Sequence, residues 1–176
     1  GIIFGISQSG KATFLQKNAN AISALLNSDI AVILPDVRGT GETQPEGGRH
    51  PRSAASSVSA TEWMLGQTLL GTQLRDLRTV IRYVKMRHPE TPLALWGDSF
   101  APTNPLDLDD PLMGDEPNPQ HVEPLGGLLA MFGALFENDV KAAAIRKMIS
   151  AYRALLNATY GYIPHDAIIP NALTAG

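Results

Sequence analysis

Short apolar runs alternate with stretches of helical period along this chain, and that alternation limits what it can fold into. Gly1 to Ile6, Ile30 to Leu34, Leu93 to Trp96 and Val140 to Ile145 each read as a buried strand. Such runs, apolar at successive positions rather than every second one, suit strands covered on both faces. Between them, Ala12 to Leu26 reads as a helix with Leu15, Ala19, Ile22 and Leu26 at helical spacing. A second helix is expected from Ser59 to about Arg87. It would start at a capping box formed by Ser59 and Glu62, carry Trp63, Leu70, Leu74, Leu77, Ile81 and Val84 on one face, and end at His88 and Pro89. Residues 36 to 58 read as a long loop. Helical period returns at Leu125 to Glu137 and at Ile149 to Leu156. The pattern βαβαβ-loop-αβα predicts an α/β fold: a mostly parallel sheet with helices on both faces.

The third strand runs into Gly97-Asp98-Ser99-Phe100-Ala101. A serine two residues past a buried strand, between small residues, has the sequence form of a nucleophile elbow. That reading expects a sharp turn with a strained backbone at Ser99, and small neighbours, Gly97 and Ala101, that let the next helix pass close by. The bland alternative is a serine in an ordinary turn between a strand and a helix. One feature is unusual for an elbow. Residues 102–124 hold six of the chain's 13 prolines and six carboxylates, Asp107, Asp109, Asp110, Asp115, Glu116 and Glu123, without a lysine or arginine. This acidic, proline-rich insertion reads as irregular and exposed, standing where the elbow helix should begin.

Gly5-Ile6-Ser7-Gln8-Ser9-Gly10-Lys11 offers a rival site. It has the G-x-x-x-x-G-K form between a strand and a helix, nearly a phosphate-binding loop, and Asp36 could end a strand as a magnesium-linked aspartate. The position after Lys11 is Ala12, however, where a hydroxyl should hold the metal. On the hydrolase reading the same turn supplies backbone N–H groups to an oxyanion hole. Asp36-Val37-Arg38-Gly39-Thr40-Gly41-Glu42 reads as a turn beside the site, with Arg38 paired to a nearby acid. His88 reads as a helix C-cap, and His50 and His121 as solvated loop residues. His165, 66 residues after Ser99, is the one candidate base late in the chain.

Composition narrows the partners. Net charge is -3, from 14 basic and 17 acidic residues, which argues against a nucleic-acid face. No apolar run approaches the roughly 18 residues that span a bilayer. Cysteine is absent, so there is no thiol nucleophile and no disulfide framework. No spacing of His, Asp and Glu suggests a metal site, and no cofactor is expected. With 176 residues, of which 44% are apolar, a single domain with a real core is expected. Both ends read as cut within a larger domain.

Asp36-Val37-Arg38-Gly39-Thr40-Gly41-Glu42-Thr43 followed by Leu95-Trp96-Gly97-Asp98-Ser99-Phe100-Ala101 resembles the acetyl xylan esterase-like α/β-hydrolases, which are related to prolyl oligopeptidase-type and dienelactone hydrolase-type domains. Leu135 to Ala142 resembles their segment leading into the strand after the elbow helix, and Tyr162 to Gly176 the run before their last core strands. The resemblance implies a partial α/β-hydrolase fold and a serine esterase of small-molecule or carbohydrate esters, with a peptidase of the same fold as the next choice. It implies Ser99 as nucleophile and the amides of Phe100, Ser7 and Gln8 as oxyanion hole. It places the acid and histidine of the triad on loops after later strands, beyond Gly176; His165 is the alternative base within the chain. The phosphate-binding reading of Gly5 to Lys11 stays open beside it.

Overall fold

The computed structural model describes residues 1–44, 51–99, 123–148 and 169–170. Four parallel strands form one sheet: β1 (Ile2–Ser7), β2 (Ala31–Ile33), β3 (Leu93–Asp98) and β4 (Val140–Arg146), in the order β2-β1-β3-β4. Helix α1 (Gly10–Asn27) links β1 to β2. Helices α2 (Pro51–Met64) and α3 (Leu69–Arg87) precede β3, and α4 (Leu125–Phe136) precedes β4. The expected α/β class, with a parallel sheet covered on both faces, is therefore what forms.

Alternation along the strands sorts the core into two layers. Ile2, Phe4 and Ile6 of β1 and Leu93 and Leu95 of β3 point to one face, where Leu77 and Ile81 of α3 and Leu125 and Leu129 of α4 cover them. Ile3 and Trp96 point to the other face and meet Phe14 and Ile22 of α1, with the Phe14 and Trp96 rings edge to face at 4.9 Å. Burying aromatic and branched side chains on both faces is the main stabilising term, worth about 1.5–3 kcal/mol for each large side chain.

Three details depart from the sequence reading. First, α1 buries Phe14, Asn18 and Ile22, while Leu15 and Leu26 are 49% and 55% exposed and Ala19 is exposed. Of the expected face only Ile22 is right, because a polar residue, Asn18, belongs to the buried stripe. Second, Ser59 is no cap. It lies inside α2, and the expected single helix is two, so the expected loop to residue 58 ends at Pro51. The break falls at Gly66, whose φ of +73° is left-handed and whose N–H closes on the Trp63 carbonyl. The Thr68 side chain then caps α3 by accepting from the Gly71 N–H at 3.0 Å. Trp63, beyond this break from α3, is 50% exposed, whereas Leu70, Leu77, Ile81 and Val84 are core. Third, β2 is shorter than the apolar run that encodes it. His88 does cap α3, its N–H bonding the Val84 carbonyl. The helix expected at 149–156 and nearly all of the acidic insertion fall outside the described residues. No helix among the described residues is long and apolar enough to cross a membrane.

Candidate active site

From β1 the chain moves outward to β2, then returns to lay β3 on the other side of β1. The carboxyl ends of β1 and β3 are thus a topological switch point, where open parallel sheets leave a crevice for ligands. Ser7, Asp98 and Arg146 stand in one row across that edge, paired in register from β1 to β3 to β4. Ser99 follows directly.

Ser99 is 7% exposed, and its hydroxyl is held from two sides. The Gly127 N–H donates to its Oγ at 2.7 Å, and the Oγ donates to the Pro124 carbonyl at 3.1 Å. Both partners belong to the first turn of α4, whose third amide would otherwise be an orphan of the helix end. Gln8, from the β1–α1 turn, caps the same helix: its Oε1 accepts from the Leu125 N–H at 3.4 Å. A negative charge developing on Ser99 Oγ would therefore face a helix N-terminus.

The close approach of α4 depends on absent side chains. A Cβ on Gly97 would collide with the Gly126 carbonyl, and one on Gly126 with the carbonyls of Asp98 and Ile6. The expectation that a small residue at 97 lets a helix pass is met; Ala101 lies outside the described residues. The expected strain is not met. Among the described non-glycine residues only Asp29 and Lys147 have positive φ, so Ser99 does not.

A pocket of about 260 Å³ opens at this edge, with Ser7, Ser9, Asp98 and Ser99 in its wall. Lys17, Arg146 and Lys147 bring positive charge to it, and Glu123 a further carboxylate. Asn18 connects its parts. It is 7% exposed, sits at a non-helical φ of −118° within α1, and donates from Nδ2 to the Phe14 carbonyl at 3.1 Å and to Asp98 Oδ2 at 3.3 Å. Arg146 Nη1 donates to Asn18 Oδ1 at 3.4 Å. No family model matches this chain, no curated protein matches it, and no solved structure matches it.

Of the residues nominated from sequence, Ser7, Gln8 and Ser99 come together at this edge. Phe100 and His165 lie outside the described residues, as do His50 and His121. Asn18, Arg146, Lys147 and the Gly126-Gly127 pair were not nominated. The glycine pair was the readable signal, since two glycines opening an apolar helix mark a close backbone approach. Among the described residues no three His, Asp or Glu side chains gather closely enough to hold a metal ion.

The Asp36 to Glu42 turn lies beside the β1–α1 turn. Arg38 pairs with an acid, as expected: its Nε and Nη2 donate to the two Asp76 carboxylate oxygens at 2.8 and 2.7 Å. Burial pushes Asp76 up, but the Arg38 hydrogen bonds outweigh it and hold the carboxyl below its usual range. The expectation of Asp36 as a metal-linked aspartate meets a different arrangement: its carboxylate accepts from the Lys11 and Glu42 backbone amides.

Proposed function

We propose that this chain carries the nucleophile of a serine esterase acting on small-molecule or carbohydrate esters. The observation that carries the reading is Ser99 itself: a serine that lines a pocket at the switch point, its hydroxyl hydrogen-bonded by the Gly127 amide of a helix N-terminus. Ser99 Oγ would attack the ester carbonyl, its proton passing to a histidine, for which His165 is the candidate within this chain. The C–O bond to the alcohol then breaks, and water later releases the acid from the serine. Ser7 ends β1 and Gln8 follows it in the turn at the same edge; the resemblance assigns their amides to the oxyanion hole. A pocket near 260 Å³ leaves room for a small ester beside Ser99. In the conformation described, the Ser99 proton is directed at the Pro124 carbonyl, a group that cannot carry it away, so the base must displace that contact.

The choice of an acetylated carbohydrate over a peptide rests on the sequence resemblance. Nucleotide binding at Gly5 to Lys11 finds less support, because the Lys11 amide and ammonium are taken by Asp36 and Glu42. Fluorophosphonate labelling tests the esterase reading. Ser99 is expected to be labelled, and Ser99→Ala to abolish the label; no labelling of the unaltered chain overturns the reading. Micromolar magnesium-nucleotide binding lost in Lys11→Ala would favour the alternative. Turnover of p-nitrophenyl acetate lost in His165→Ala would identify the base.

A further inference from the structure

The G-x-x-x-x-G-K turn already holds an anion, and it is a side chain of this protein. Asp36 lies three residues past the end of β2, with a side chain only 5% exposed. Its Oδ1 accepts from the Lys11 N–H at 2.7 Å, and its Oδ2 accepts from the Glu42 N–H at 3.1 Å. The Lys11 ammonium lies 3.8 Å from Oδ2 and 2.7 Å from Glu42 Oε2. Around this carboxylate two turns touch through bare backbone. Gly10 has φ +83° and Gly41 φ +47°. A Cβ on Gly10 would collide with the Gly41 Cα, and one on Gly41 with the Asp36 carboxylate.

Burying a carboxylate costs several kcal/mol unless its oxygens are bonded. A helix end alone needs no such group, since Ser, Thr or Asn would cap it. What the carboxylate adds is two acceptors back to back, one for each turn. An asparagine of the same size would keep one acceptor and set an NH2 donor against an N–H donor on the other side.

We propose that Asp36 is a positioning residue for the Ser99 site: it clamps the β1–α1 turn against the Gly41-Glu42 turn and so fixes the segment that carries the Ser7 and Gln8 amides. The clamp reaches Ser99 through short links. Ser7 Oγ donates to the Gly10 carbonyl at 3.1 Å, and Gln8 Oε1 caps the first amide of α4 two residues before the amide that binds Ser99. The catalytic half of this inference rests on the esterase reading; the clamp itself does not.

The test compares Asp36→Asn with Glu42→Gln, which leaves both amide bonds to Asp36 in place. Asp36→Asn is expected to slow fluorophosphonate labelling and kcat on p-nitrophenyl acetate about tenfold or more with KM little changed. Glu42→Gln is expected to stay within about twofold of the unaltered chain. A fully active Asp36→Asn with an unchanged melt, or equal slowing by Glu42→Gln, overturns the proposal. Should Asp36→Asn fail to fold, amide hydrogen exchange of the unaltered chain decides: Lys11 and Glu42 are expected to be protected together, and free exchange at Glu42 overturns the clamp. Should Ser99 not label at all, the esterase reading fails separately. Amide shifts at Ser7, Gln8 and Leu125 in Asp36→Asn then report on the clamp alone, and their absence overturns it.

Discussion

The Ser99 hydroxyl caps a helix that begins at Leu125, accepting the Gly127 amide at 2.7 Å. A catalytic serine on a strained elbow is usually a stability liability, so replacing it relaxes the backbone. Here the backbone is not at positive φ and the hydroxyl makes two buried hydrogen bonds. Ser99→Ala is therefore expected to destabilise the chain by about 1–2 kcal/mol, because it orphans a buried amide. Urea unfolding of the two proteins measures it. A more stable Ser99→Ala would mean that the hydroxyl is strained, against the geometry described.

Glu137 ties α4 to α3. Its carboxylate accepts from Arg78 Nε, and from Arg82 Nη2 at 3.0 Å, with its side chain 8% exposed. Burial pushes Glu137 up, but the hydrogen bonds from Arg78 and Arg82 outweigh this and leave it below the ordinary carboxylate range. A carboxyl lowered in the folded state adds stability above its unfolded pKa and loses it as pH falls through the folded value. Glu137→Gln is thus expected to cost about 2 kcal/mol at pH 7. The gap to the unaltered chain should narrow as pH falls below about 4. Denaturant midpoints between pH 7 and pH 3 give the comparison; a gap that widens in acid would reverse the sign assigned to Glu137.

Arg38 fastens the turn after β2 to α3 by a two-pronged contact with Asp76 and a 3.5 Å contact with Glu62. Lysine would keep the charge but lose the fork. Because the Arg38 side chain is 42% exposed, solvent screening keeps the effect small, and Arg38→Lys is expected to cost about 0.5–1 kcal/mol. A thermal melt checks this, and the loss should shrink in Asp76→Asn, where the fork has no anionic partner.

The strands were legible because a strand buried on both faces can be apolar at every position, as Ile2, Ile3 and Phe4 or Leu93, Ala94 and Leu95 are. The buried face of α1 was not. Leu15 and Leu26 are apolar yet exposed, and Asn18 is polar yet buried because Asp98, eighty residues away, supplies its partner. No local pattern contains that contact. The break between α2 and α3 was half legible: a glycine such as Gly66 weakens a helix in any sequence, but Thr68 as a cap competes with Ser59, whose spacing to Glu62 mimics one. Ser99 could be nominated from its neighbours. That Gly127 is its partner could not be read, because the acidic insertion separates them in sequence and only the packing of α4 on β3 brings them together.

That packing gives the sharpest contrast between two glycines. A methyl on Gly97 would run into the Gly126 carbonyl and lie 2.8 Å from the Ala130 Cβ, both fixed parts of α4. A methyl on Gly133 would instead meet the ends of two leucine side chains, Leu95 Cδ1 at 2.7 Å and Leu77 Cδ2 at 3.2 Å, which can rotate. Gly133 also lies within a helix, where alanine is favoured over glycine by about 1 kcal/mol. Gly97→Ala is therefore expected to cost about 3 kcal/mol, pushing α4 off the sheet and the Gly127 amide away from Ser99. Gly133→Ala is expected to change stability by less than about 1 kcal/mol, its helix gain offsetting the crowding. Denaturant unfolding of both variants, with the Gly127 amide shift as a local probe, separates them. Equal losses would mean that α4 can yield as easily as a leucine, and the close approach of Gly97 and Gly126 would then not be what seats Ser99 at the helix end.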